Sequence, residues 1–106
     1  MKYRIQRATG AAAIAMTIAP GVAWQLDEIR VHLSAAGADE LLTGTIDAGA
    51  GAVYDAVIIS QNTNGVTDYE YKPDRPHIFG ADDELDLACV NTNTRTYGIE
   101  VFYSAI

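Results

Sequence analysis

The 106-residue sequence has few of the residues that build covalent or metal-dependent sites. Its one cysteine, Cys89, excludes an internal disulfide and a thiolate metal cluster. Alternation places Cys89 on the same strand face as Leu85 and Leu87, which predicts a packed core thiol. The two histidines, His32 and His77, lack a second histidine or cysteine at ligand spacing. No metal site is therefore expected, and His32 is predicted as an exposed strand residue, with His77 in a turn beside Pro76.

Motifs of catalysis are also missing. There is no Gly-x-Ser-x-Gly elbow, and the Gly-Ala run at 49–52 lacks the lysine and helix of a phosphate-binding loop. An enzyme of cupin-like shape would need His32 and His77 to converge with a carboxylate, and their spacing gives that alternative little support. We expect a protein that is not an enzyme and that uses no cofactor.

Long apolar runs are absent as well. The stretch at 11–19 is mostly alanine, and at about nine residues it is far too short to span a membrane. Together with the basic start and the small residues at 21–23 it outlines a secretory signal. Its weak hydrophobicity favours the interpretation that the stretch belongs to the mature chain and is not a cleaved signal. No association with a membrane is expected.

Positive charge is scarce and unevenly placed. Seven bases stand against 14 acids, for a formal net charge of −7. Lys2, Arg4 and Arg7 all precede the first acid, Asp27, so the chain has a basic end and an acidic body. Such a body repels phosphate backbones, which argues against nucleic-acid binding. The arrangement suits contacts between neighbouring copies through Lys2, Arg4 and Arg7, although charge also serves solubility alone.

What the sequence does contain is a series of short alternating segments separated by turn residues. The pattern predicts about eight or nine strands and no convincing helix, hence an all-β antiparallel β-sandwich, jelly-roll-like, as a single domain over 1–106. Residues 1–22 are predicted as an N-terminal strand or arm, with a turn at Thr9-Gly10. Residues 53–60 are predicted as a central strand buried on both faces.

The segment 23–36 fits either a helix or a strand. A helix would place its apolar and charged residues on competing faces and would lack a good N-cap. A strand fits if Asp27-Glu28 supplies one extra residue, because the apolar side chains then stay on one face. We therefore predict a β-bulge at this point. The inward residues would be Trp24, Leu26, Ile29, Val31 and Leu33, and the outward ones Arg30 and His32.

Carboxylates offer two further candidates. The cluster 82–84 with Asp86 lacks the spacing of an EF-hand, so a polar turn is favoured over a calcium site. Asp55 interrupts an apolar segment, and we expect it to accept backbone hydrogen bonds from a neighbouring loop. A catalytic pairing of Asp55 with Asp47 or Asp68 has no support in the sequence.

Three of the nine aromatic residues raise a binding hypothesis. Trp24, Tyr69 and Tyr71 could form a platform on which sugars stack. Tyrosines at positions i and i+2 also fit a half-buried strand or a subunit interface, where aromatics are enriched. Tyr69 and Tyr71 therefore join the three N-terminal bases as possible interface residues.

Four strand-and-turn segments, at 24–32, 53–60, 65–69 and 97–101, resemble small structural proteins of tailed bacteriophages, including capsid decoration (cement) proteins. The resemblance implies a noncatalytic β-sandwich subunit, a homo-oligomer repeated on a virion without a cofactor. The implied partners are the major capsid protein or other virion proteins, and the implied location is the capsid surface. A tail or head–tail junction protein is one alternative, and a carbohydrate-binding β-sandwich module is another.

Overall fold

The structure, a computed structural model, describes residues 2–106 and contains two antiparallel sheets packed face to face. The strands are β1 Lys2–Gly10, β2 Ile14–Ile18, β3 Trp24–Leu33, β4 Leu41–Asp47, β5 Ala56–Asn62, β6 Asp68–Tyr71, β7 His77–Phe79, β8 Glu84–Cys89 and β9 Tyr97–Ala105. Sheet A has the strand order β1-β9-β3-β6, with β7 also paired to β3, and sheet B has the order β2-β8-β4-β5. The predicted all-β sandwich is confirmed.

The core lies between the inner faces of the two sheets. Alternate apolar side chains of each strand point into it, as period-two patterning requires. Cys89 is buried there with Leu85 and Leu87, as predicted. The other fully buried members include Ile18, Trp24, Leu26, Ile29, Phe79, Ile99 and Val101.

The predicted bulge in β3 is present. The register between β3 and β9 runs from Leu26 opposite Tyr103 to Glu28 opposite Phe102, so Asp27 is the inserted residue. Asp27 accepts hydrogen bonds from Ser104 Oγ at 2.7 Å and from Gln25 Nε2 at 2.7 Å. These two bonds satisfy the carboxylate of Asp27, which the bulge places on the outward side of sheet A. The five predicted inward residues of this strand are all buried, and Arg30 and His32 are exposed.

Two predicted boundaries are wrong. Thr9 and Gly10 continue β1 and pair with Gly98 and Tyr97 of β9, so the bend falls at 11–13. Residues 53–60 do not form a central strand, because β5 begins at Ala56 and is the edge of sheet B. Val57 is 61% exposed. A sandwich of two layers covers only one face of each sheet, so an apolar run here cannot be buried on both.

The residues before β5 form a short 3-10 helix, Ala52–Tyr54. It follows Gly51, whose φ of 127° favours glycine. Asp55 ends this turn and accepts a hydrogen bond from the Ala48 backbone N–H at 2.8 Å. The predicted backbone hydrogen bond is confirmed, although Asp55 lies in an exposed turn and not in a buried strand. Among residues 2–106, no helix is long and apolar enough to cross a membrane.

Candidate interaction surfaces

The outward side of sheet A carries a row of alternating charges across four strands, which we call the charge ladder. Directly opposed residues of antiparallel strands point to the same face. Arg7 of β1 is opposite Glu100 of β9, Glu100 is opposite Arg30 of β3, and Arg30 is opposite Glu70 of β6. Arg7 Nε donates to Glu100 Oε2 at 2.8 Å. The ladder thus begins with a cation at one edge of the sheet and ends with a carboxylate at the other.

Arg30 is the most strongly held cation of the ladder. It donates a hydrogen bond to Glu28, and its Nε lies 3.9 Å from Glu70 Oε2. Its guanidinium carbon also lies 4.8 Å from the ring centroid of Phe102, within cation–π range. The hydrogen bond and the negative charge of Glu28 raise the pKa of Arg30 further above its ordinary value.

A groove of about 680 Å³ lies beside the ladder on the same face. Its floor is Gly98, where an added Cβ would meet no heavy atom within 4 Å. Gly98 is opposite Thr9 on one side and His32 on the other. His32 Nδ1 lies 2.7 Å from Asp68 Oδ1, and this hydrogen bond lowers the pKa of Asp68. We call this feature the Gly98 groove.

The polar groups of the Gly98 groove satisfy one another. Thr9 Oγ1 donates to the Tyr97 carbonyl at 2.8 Å, and His32 is paired with Asp68. Arg7 is paired with Glu100 of the ladder, and Arg30 donates its hydrogen bond to Glu28, with Glu70 at 3.9 Å. Among the described residues lining the groove, no hydroxyl or thiol is paired with a general base.

The outward side of sheet B is different, and we call its central part the neutral face. Its side chains are short, and seven of the eight are uncharged. Two registered rows form it: Ala15, Ala88, Thr43 and Ser60, and next to them Thr17, Asp86, Thr45 and Val57. Thr17 Oγ1 donates to Asp86 Oδ1 at 2.6 Å, so the single carboxylate of the two rows has a hydrogen-bond partner in its own row.

One corner of sheet B brings three carboxylates together. Carboxylate oxygens of Asp47, Glu84 and Asp86 all lie within 4.8 Å of one another, which is the type of donor set that hard cations bind. The sequence pattern had grouped Glu84 and Asp86 with 82–83 and missed Asp47. The signal for Asp47 is its register position opposite Glu84, which only the sheet pairing reveals.

Asp83 belongs to a turn and not to that corner cluster. It accepts hydrogen bonds from the backbone N–H groups of Gly49 at 2.9 Å and Gly80 at 2.8 Å. These two bonds lower the pKa of Asp83. The arrangement agrees with the polar turn that the sequence favoured at 82–84.

The structure places the five predicted interface residues at the two opposite edges of sheet A. Lys2, Arg4 and Arg7 lie on β1 and are exposed; Arg7 is part of the ladder, and the other two point to the opposite side. Tyr69 and Tyr71 lie on β6, half-buried against the core, opposite Val31 and Ile29. Burial raises the pKa of both tyrosines.

The histidines do not converge. His32 is opposite Asp68 near one end of β3, whereas His77 is opposite Leu26, six positions away on β3 and thus roughly 20 Å along a strand. His77 lies in β7 and not in a turn, and its Nε2 is 2.7 Å from the Tyr71 hydroxyl. The cupin-like alternative therefore lacks the meeting of histidines that it requires.

The alternative of an aromatic platform fails at Trp24, which points inward as the strand pattern predicts. This side chain is fully buried and stacks on Phe79 with ring centroids 4.1 Å apart. Its Nε1 has no hydrogen-bond partner among the described residues. Trp24 therefore forms no exposed row with Tyr69 and Tyr71, and the feature that would favour sugar stacking is missing.

The sequence matches no protein-family model, and its comparison with curated proteins gives no match.

Proposed function

We propose that this protein is a noncatalytic structural subunit of a tailed-bacteriophage virion, a decoration protein that binds the major capsid protein at the capsid surface. The observation that carries the proposal is the neutral face of sheet B. It offers an area of short side chains that spans four strands and is uncharged except for Asp86. The resemblance of the strand-and-turn segments to phage structural proteins supports the same role.

The neutral face suits a permanent protein contact for physical reasons. Alanine, serine, threonine and valine side chains lose little rotamer freedom when covered. Within the face, Asp86 would need its charge desolvated or paired, and Thr17 supplies one hydrogen bond to it; Asp47 and Glu84 lie at the border of the face. The Gly98 groove and the charge ladder would cost more to cover, because their charges are solvated as well as paired.

A tail or head–tail junction subunit would use the same kind of face. The position of the protein within the virion is therefore decided by experiment. The carbohydrate-binding alternative lost its main support with the burial of Trp24.

The test is mass spectrometry and immunogold microscopy of purified particles from the phage or induced prophage that encodes the chain. Gold on the heads is the expected result. Gold confined to tails would replace the capsid location with the junction or tail alternative, and absence from particles would overturn the proposal.

A pair of variants tests the face itself. Ala88→Lys adds a charge to the centre of the neutral face, and Ile78→Lys adds the same charge to the outward side of β7, where Ile78 is 67% exposed. Ala88→Lys is expected to abolish incorporation into particles, and Ile78→Lys to leave it unchanged. Equal incorporation of both variants would contradict the use of the neutral face.

A further inference from the structure

The two outer strands of sheet A carry opposite charges and each leaves one backbone edge unpaired. β1 has Lys2, Arg4 and Arg7 and no acid, whereas β6 has Asp68 and Glu70 and no base. Within residues 2–106, β1 pairs only with β9 and β6 only with β3. An unpaired strand edge is a template for a further strand, and Arg7 on β1 is complementary in charge to Glu70 on β6, although the bases Lys72 and Arg75 follow β6.

The strand directions allow the two edges to meet without turning a subunit over. Each neighbouring pair in the order β1-β9-β3-β6 is antiparallel, so β1 and β6 run in opposite directions. A second copy placed beyond β6 in the same orientation therefore presents its β1 antiparallel to β6. Its outward face also stays on the same side of the extended sheet. Such a contact is heterologous and repeats into a ring or a filament.

The charge ladder fixes a register for this contact. Placing Arg7 of a second copy opposite Glu70 continues the alternation of charge across the boundary. The same register sets Tyr69 opposite the small Ala8 and Tyr71 opposite Gln6 of that copy. Both tyrosines are only half-buried in the single chain, so the added strand would remove more of their apolar surface from water.

We propose that copies of this chain associate head to tail, with β6 of one copy pairing with β1 of the next and Glu70 facing Arg7. The same charges disfavour the wrong pairings, since two β1 edges juxtapose cations and two β6 edges juxtapose carboxylates. Pro73 and Pro76 limit pairing beyond β6, because proline has no N–H to donate. Each contact is therefore short, and assembly depends on concentration and on many copies acting together.

This inference deepens the proposed function, because it supplies the contact between copies that a symmetric virion component would use. Its test is separate from the particle test, since it uses the purified full-length chain alone. Self-association without incorporation would defeat the virion role only, and incorporation without self-association would defeat this contact only.

The experiment is light scattering of the purified chain over a range of protein and salt concentrations. The mass is expected to rise with protein concentration at low salt and to fall as salt is added. Glu70→Arg is expected to raise the apparent dissociation constant at least roughly tenfold, because it places like charges at the contact. Asp47→Arg makes the same change of charge on sheet B and is expected to leave association unchanged. A chain that is monomeric at every concentration would overturn the proposal.

Mixing two variants separates the contact between copies from effects within one chain. Arg7→Glu also meets Glu100 of its own chain, and Glu70→Arg meets its own Arg30, so each variant is first checked for folding by thermal unfolding. If either charge reversal does not fold, Arg7→Gln and Glu70→Gln replace them in the concentration series, with weakened association expected of both.

Each charge-reversed variant alone is expected to stay monomeric. An equimolar mixture is expected to associate, because opposite charges then face each other at every contact between unlike copies. The glutamate that replaces Arg7 faces the arginine that replaces Glu70 at alternate contacts, and the original pair meets at the others. A mixture that stays monomeric, or single variants that associate as the unmodified chain does, would overturn the proposal.

Discussion

The outward sides of sheets A and B cover the same core, yet their side chains differ in kind. Sheet A presents a registered row of long charged side chains, Arg7, Glu100, Arg30 and Glu70, next to exposed apolar side chains such as Ile5 and Ile78. Sheet B presents alanine, threonine, serine and valine at the equivalent positions, with Asp86 as the single charge in its two central rows. Both arrangements are compatible with a strand, because only the inward positions are constrained by the core.

The difference fits the proposal that the outward residues serve contacts with other molecules. Exposed ion pairs stabilise a fold by only about 0–1 kcal/mol each, so stability alone gives little reason for a registered ladder. A nearly uncharged central area contributes little to solubility. A charged row on one sheet and a nearly uncharged area on the other fit the two interaction surfaces proposed above.

The contrast between the two outward sides is informative only if the inner faces of the two sheets contribute similarly to the stability of the fold. Leu87→Ala removes a buried side chain beneath the neutral face, and Ile99→Ala removes one beneath the charge ladder; both residues are 1% exposed. Each variant is expected to lower the free energy of unfolding by about 2–5 kcal/mol, since lost burial and a cavity both contribute. Urea denaturation measures the effect. A loss below about 1 kcal/mol in either variant would show that one sheet contributes little to the shared core.

Two glycines sharpen the contrast between inward and outward positions. A Cβ at Gly44, on the inner side of β4, would lie 2.9 Å from Ile59 Cδ1, whereas one at Gly98 would meet nothing within 4 Å. Gly44→Val is expected to destabilise the chain by about 1–3 kcal/mol through overpacking. Gly98→Val is expected to be neutral or stabilising by up to about 1 kcal/mol, because glycine is costly inside a strand. Equal losses in urea denaturation would contradict the open Gly98 groove.

Strand positions and inward residues could be predicted from the sequence, because alternation and turn residues act locally. The bulge at Asp27-Glu28 was predictable for the same reason, because the apolar residues change there from even-numbered to odd-numbered positions. The edge position of β5 was not, because its apolar composition is typical of a central strand. Only the sheet order shows that one of its sides lacks a neighbour.

The candidate surfaces were less predictable than the strands. Arg7 was selected from the sequence as part of a basic end, but its alignment with Glu100, Arg30 and Glu70 depends on pairing between strands far apart in the chain. Alternation gives the face of each residue and not its register with other strands. The neutral face could not be predicted for a second reason, because alanine, serine and threonine are not residue types that by themselves indicate a binding site.

The pairs within the ladder are expected to contribute little to stability. In a double-mutant cycle with Arg7→Ala and Glu100→Ala, the coupling free energy is expected to be about 0.2–1 kcal/mol, because both side chains reach solvent. The coupling should decrease as salt is added. Thermal unfolding of the four proteins at two salt concentrations measures it. A coupling well above this range that persists at high salt would assign the ladder a structural role and weaken the contrast between the two faces.

The smallest expected effect concerns two carboxylates whose pKa values are lowered for different reasons. His32 lowers the pKa of Asp68 on sheet A, whereas backbone N–H groups of Gly49 and Gly80 lower the pKa of Asp83 in its turn. A carboxyl whose folded pKa is depressed contributes stability above its ordinary value of 3.8, and this contribution is lost as the pH falls through the folded pKa. Asp68→Asn is therefore expected to reduce the loss of stability on acidification.

His32→Ala separates these two causes. It removes the hydrogen bond that holds Asp68 ionised, so the pKa of Asp68 should rise toward its ordinary value while that of Asp83 stays low. Carbon-detected NMR titration of the side-chain carboxyls follows both groups in one sample. A rise in the pKa values of both Asp68 and Asp83 would mean that His32→Ala disturbs the whole sandwich. An unchanged pKa of Asp68 would mean that side-chain pairs do not organise the outward side of sheet A. The contrast between sheets A and B would then rest only on which residue types each sheet presents.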